Sequence, residues 1–156
     1  MASDAIITNS FTGSYSYMLD AKGRVNIPAK MRKVLSPEND RTFVVTRGPD
    51  LCIVLYPAEV WKGIQAKLIE LNKGRALSRH FTRNIVRHAE TVQYDHQGRV
   101  ALPTNLIEYA GISRSVEIVG MIKYIEIWDQ KRLEELNSQF DGRQEELEII
   151  ASEINL

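Results

Sequence analysis

The sequence has one cysteine, Cys52, so it has no internal disulfide framework and fits a reducing compartment. Cys52 lies in the apolar run "LCIVLY" and reads as a buried small hydrophobe. No apolar stretch approaches the roughly 20 residues that span a bilayer. The opening "MASDAIITNS" lacks the basic region and apolar core of a secretory signal, so a cytoplasmic protein without a membrane partner is expected. There is no P-loop and no G-x-G-x-x-G. His80, His88 and His96 stand without the flanking Cys, Asp or Glu ligands of a metal site. Ser78 is close to His80, but no G-x-S-x-G elbow or third partner accompanies them. No enzyme, cofactor, metal or small-molecule substrate is therefore expected. Net charge is missing too: 20 Lys and Arg balance 20 Asp and Glu, so bulk charge argues neither for nor against nucleic acid.

What the chain does have is segregated charge. Its 156 residues, 44% of them hydrophobic, suit one domain or two small ones with a real core. From Trp61 to His88 the bases Lys62, Lys67, Lys73, Arg75, Arg79, Arg83 and Arg87 face Glu70 alone. From Glu126 onward acids dominate. This is the pattern of a polyanion-facing body with an acidic tail, or of solvated helix faces; charge alone does not decide.

It also has a duplication. "LDAKGRVNIP" (Leu19–Pro28) returns as "YDHQGRVALP" (Tyr94–Pro103). A shift of 75 positions aligns Asp20 with Asp95, Gly23 with Gly98, Arg24 with Arg99 and Pro28 with Pro103. Each copy starts with an alternating stretch, "YSYML" or "ETVQY", which reads as a half-buried strand. A tight D-x-x-G-R turn follows, where glycine takes a positive φ at little cost. Next come a short strand, "RVNI" or "RVAL", and a helix opened by proline. Ser36-Pro37 stops the first helix and Gly111 the second. Each copy closes with two β-rich runs, "TFVVTR" and "CIVLY" or "SVEIVG" and "YIEIW", and a longer helix. Trp61 and Trp128 precede or open these last helices in equivalent positions, as core or interface anchors. Neither half has enough long apolar segments for its own core, so both are expected to share one. "GRALSRHFTRNIVRHAE" bridges them as a helix with Leu77, Phe81, Ile85 and Val86 on its apolar side.

The residues themselves leave two readings open at the turns. Arg24 and Arg99 can grip phosphate or a guanine edge bidentately, with Lys22 as a point charge and Gly23 letting backbone N–H groups approach. Alternatively, Asp20–Arg24 and Asp95–Arg99 simply brace the turns. Asp20, Asp95 and Gly98 read as structural, the carboxylates accepting backbone N–H groups. Arg75, Arg79, Arg83 and Arg87 recur every four residues, forming one stripe on a helix. That stripe suits a neighbouring subunit's acidic face or DNA phosphate, unless it pairs with local acids such as Glu70 or Glu90.

The D-x-x-G-R-V-x-hydrophobic-Pro motif resembles the AbrB-type swapped-hairpin DNA-binding unit. Two copies in one chain, with "YPAEVW" after the first and "IEIW" in the second, resemble the MraZ family of bacterial transcriptional regulators. The resemblance covers roughly residues 11–136. It implies an α+β fold: a double swapped-hairpin β-barrel core formed by two internal repeats, with flanking helices. Residues 11–61 and a helix to 72 form the first repeat, 73–89 a basic linking helix, 90–140 the second repeat, and 141–156 an acidic tail outside the match. The resemblance further implies a nucleoid-associated regulator that binds double-stranded DNA at short direct repeats upstream of its own division and cell-wall operon. It implies a ring of several subunits. Carried over by position, it assigns DNA contact to Lys22, Gly23, Arg24 and Arg99. Gln97 replaces the lysine of the first turn, so the second turn is expected to bind phosphate more weakly. A non-DNA scaffold, or an antitoxin-like protein-binding module, is the alternative. In the tail, Leu147, Ile150 and Ile154 fit an amphipathic helix.

Overall fold

The computed structural model of the chain describes residues 7–71 and 74–156. The boundary expected at residues 72 and 73, with Lys73 of the basic tally, lies outside the described residues, as do the first six residues of the N-terminal stretch. The first repeat runs β1 (Ser14–Met18), β2 (Arg24–Asn26), α1 (Ala29–Val34), β3 (Thr42–Arg47), β4 (Ile53–Pro57) and α2 (Ala58–Leu71). The helix α3 (Ala76–Val86) links it to the second. The same order then recurs as β5 (Glu90–Gln93), β6 (Arg99–Ala101), α4 (Thr104–Ala110), β7 (Ser115–Gly120), β8 (Ile125–Asp129) and α5 (Gln130–Ser138). A last helix, α6 (Gln144–Glu153), follows.

Local chemistry sets these bounds. Pro28 and Pro103 immediately precede α1 and α4, with φ of −51° and −58°, where a missing N–H costs nothing. Asp129 caps α5, its carboxylate accepting the Arg132 N–H at 3.2 Å. The "RGPD" stretch forms the turn between β3 and β4, which pair antiparallel.

The repeats exchange strands. Six strands make one antiparallel sheet in the order β1-β7-β8-β4-β3-β5, and β2 and β6 form a separate ribbon. Replacing each strand by its counterpart in the other repeat gives the same order reversed. The chain is thus a pseudo-two-fold object, with the approximate axis passing between β4 and β8 and between Val25 and Val100, which face each other in the ribbon. The first strand of each copy pairs with the β-rich hairpin of the other: β1 with β7, and β5 with β3. The pairing draws an open sheet with β1 and β5 at its edges; it does not draw a closed barrel.

The core is shared accordingly. Val25, Ile27, Met31, Phe43 and Leu55 of the first repeat pack with Val100, Leu102, Leu106, Ile118 and Ile127 of the second. The central strands are buried on both faces. Ile53 and Leu55 join this core, while Val54 alternates to the opposite face with Cys52 and Trp128. There the Trp128 Nε1–H donates to Glu126 at 3.0 Å. Burial, with the Glu126 carboxylate beside it, pushes the Cys52 thiol pKa well above its usual range.

Two expectations need correction. Trp61 and Trp128 are not equivalent: Trp61 lies within α2, whereas Trp128 lies on β8, where the first repeat's counterpart is Tyr56. The apolar side of α3 is not covered. Leu77 is 78% exposed and Phe81 52%, and only Ile85 of that set is half-buried. Helical periodicity marks an apolar face; it does not supply the neighbour that buries it.

Candidate nucleic-acid interface

The two D-x-x-G-R turns flank the ribbon and are built alike. At the first, Asp20 Oδ1 accepts the backbone N–H groups of Lys22 at 2.9 Å and Arg24 at 2.8 Å. Asp20 Oδ2 accepts Arg24 Nε–H at 2.7 Å. At the second, Asp95 Oδ1 accepts the N–H groups of Gln97 at 2.9 Å and Arg99 at 3.0 Å, and Oδ2 accepts Arg99 Nε–H at 3.0 Å. Gly23 and Gly98 have φ of +76° and +77°, a region that L side chains rarely adopt. The turns are tied to each other as well: Ile27 N–H donates to Gly98 O at 2.8 Å, and Leu102 N–H to Gly23 O at 2.9 Å.

The electrostatics follow. The Arg99 backbone N–H, above all, holds the Asp95 carboxyl at about 2; partial desolvation opposes this and the Arg99 side chain reinforces it. Asp20 is lowered by the same set of causes, led by the Arg24 backbone N–H. Both carboxylates are therefore anionic at neutral pH. Arg99 also reaches across the ribbon, its Nη1 3.9 Å from Asp20 Oδ2. The two aspartates and two arginines form a neutral quartet. Side-chain exposures of 30% for Arg24 and 25% for Arg99 leave both guanidinium groups open to an outside acceptor.

The surplus positive charge comes from elsewhere. At the first turn it is Lys22. At the second it is Arg32 of α1, which the sequence reading missed. Its guanidinium lies over Gly98, its Nε–H donates to Ile27 O at 3.0 Å, and it sits 5.9 Å from the centre of the Tyr94 ring. Arg32 shares one open groove with Lys30, Lys33 and Tyr94. A signal existed: at the 75-residue shift Arg32 aligns with Ile107, and Ile107 covers the first turn as Arg32 covers the second. Because the strands exchange, each α1-type helix attends the other copy's turn.

The structure does not bring the α3 arginines to this end. Arg75 immediately precedes α3, Arg79 and Arg83 are on it, Arg87 follows it, and all four are exposed. Thr46 ties α3 to β3 by donating to Ile85 O at 3.0 Å. Thr46 alternates with Phe43 and Val45, so α3 lies on the sheet face opposite the ribbon.

A family model described as "MraZ protein, putative antitoxin-like" matches residues 10–84 and again residues 85–150. The chain belongs to the MraZ family. It is 38% identical over 144 residues to the transcriptional regulator MraZ of Natranaerobius thermophilus, covering 92% of this chain and 96% of that one. It is 42% identical over 137 residues to the transcriptional regulator MraZ of Syntrophomonas wolfei, covering 88% and 93%. The MraZ matches meet inside α3, which therefore contributes to both. The second match runs to Ile150, so most of α6 belongs to the MraZ pattern rather than to an unmatched tail. Among the described residues, no helix is long and apolar enough to cross a membrane.

Proposed function

We propose that the chain is a sequence-specific DNA-binding transcriptional regulator whose two braced turns touch double-stranded DNA. The observation that carries this is the reciprocal tie between the turns, which fixes Arg24 and Arg99 relative to each other before any ligand arrives. Preorganised guanidinium groups lose less freedom on binding. Lys22, Gly23, Arg24 and Arg99 are the contacts, with Arg32 adding a cation at the second turn. Asp20 and Asp95 orient the arginines; a phosphate or guanine edge then takes the Nη groups. The relatives' name, transcriptional regulator, supports the same reading.

Two turns are a small footprint. The regulator therefore works as a ring of chains at short direct repeats upstream of its own division and cell-wall operon. Several weak contacts on one assembly add through effective concentration. The site of action is the cytoplasmic nucleoid. The exposed helices α3 and α6 favour a second reading, a protein-binding module of the antitoxin type.

A gel-shift titration on the DNA upstream of the gene tests this. Arg24→Ala nearly abolishes binding while the thermal melt holds, since the backbone N–H bonds to Asp20 and the ribbon pairing remain. Wild-type affinity falls steeply with salt. Unchanged affinity in the variant sinks the assignment, and a salt-independent complex points to the protein-binding alternative.

A further inference from the structure

The second turn has a flank that the first lacks. Arg32, which covers Gly98, shares its open groove with Ala29, Lys30, Lys33 and Tyr94, and Tyr94 immediately precedes Asp95. Met31 turns α1 onto the core, so Lys30 and Lys33, one helical turn apart, stay on its exposed side. Among the described residues, no acid lines this groove and no ion pair takes up Lys30, Arg32 or Lys33. Like charges this close repel one another, and an outside anion relieves the repulsion.

The corresponding place beside the first turn belongs to α4, where Ile107 lies against Gly23. At the 75-residue shift Lys30, Arg32 and Lys33 become Asn105, Ile107 and Glu108. With His96 neutral, turn and covering helix together hold four cations against one carboxylate at the second end, and two against two at the first. Arg41 and Arg114 do not alter the difference, because they match each other. The Arg41 carbonyl accepts the Tyr94 N–H at 3.1 Å, and the Arg114 carbonyl accepts the Leu19 N–H at 2.8 Å.

We infer that the α1 groove holds the DNA backbone next to the base pairs at the turns, so that each chain covers more phosphates on the side of its second turn than on the side of its first. This rests on the DNA reading above and makes its footprint lopsided. Lys30 and Lys33 meet phosphate as point charges and carry no sequence information. At the other end Glu108 repels phosphate. Two identical halves could not divide the work this way, because both ends would carry the same helix.

Hydroxyl-radical footprinting and salt-dependent gel shifts with the full-length chain, on DNA from upstream of the gene, test it. Wild-type protection is expected to run further on one side of each bound repeat than on the other. Lys30→Ala/Lys33→Ala is expected to trim that longer side and to reduce the slope of log affinity against log salt by about two. Its order of preference among sequences stays that of the wild type. Asn105→Lys/Glu108→Lys is the converse, expected to add protection on the opposite side and to steepen the slope by about two. All four side chains are exposed, so the fold tolerates either pair of changes. Equal wild-type protection on both sides overturns the inference and leaves the DNA reading standing. A double alanine variant with the wild-type footprint and slope does the same. Wild-type protein that protects no repeat removes the DNA reading and the flank with it.

Discussion

Gly23 and Gly98 hold the same place in the two copies and nearly the same φ, yet their neighbours differ. A Cβ on Gly23 meets the Ile107 methyl at 3.3 Å, whereas one on Gly98 meets the Arg32 guanidinium carbon at 2.6 Å. Within each turn every Asp20 bond has an Asp95 counterpart. The difference lies in what the other copy lays across the turn. Duplication has kept the backbone device and changed its surroundings, and the changes oppose each other. The first turn has Lys22 and an apolar cover. The second has Gln97 in place of lysine and a cationic cover. Arg32 returns to the second turn the positive charge that Gln97 takes away.

That comparison can be broken in several ways. The largest effect is expected from the arginines: Arg99→Ala lowers operator affinity by roughly 5- to 150-fold, since one bidentate contact supplies about 1–3 kcal/mol. A loss confined to Arg24→Ala in a gel shift would make the first turn the sole reader. Next come the glycines. Each Gly→Ala change costs about 1–2 kcal/mol for the left-handed backbone. Gly98→Ala costs more than Gly23→Ala, because Arg32 must also leave the Ile27 carbonyl. Equal losses in denaturant unfolding would show that Arg32 is not held there. The cations come third. Arg32→Ala reduces the slope of log affinity against log salt by about one, and Gln97→Lys raises it by about one. The smallest effect is in titration. Carboxyl NMR is expected to find Asp95 protonating at about 2 and Asp20 below the usual carboxylate range, and ordinary carboxylate values would show that the turns are not braced. Both folded values lie below the unfolded one, so the bracing is complete above the unfolded value of 3.8 and is lost as pH falls towards the folded value.

Much of this was legible in the sequence because punctuation is local. Gly23, Pro28, Gly98, Pro103 and Asp129 mark turns and helix starts by their own stereochemistry. Alternation in "YSYM" marks a strand whichever strand it pairs with. For the same reason the pairing partner was not legible: β1 has the same pattern beside β3 or beside β7. The exchange came from the resemblance, and Arg32 was missed because its position over Gly98 depends on that exchange. Sequence likeness sets Trp128 beside Trp61, whereas the strand register gives it the position of Tyr56. For α3, periodicity gave the helix and could not report that its apolar side stays open.

The reversed strand order has one more consequence. A dimer of identical chains must change both halves whenever it changes one. Here the two halves are one polypeptide, and each position of the pair is free to vary alone. Lys22 without a partner lysine and Arg32 without a partner arginine give the ribbon a front and a back. On the proposed DNA reading, a ribbon with a front and a back has a heading along a duplex.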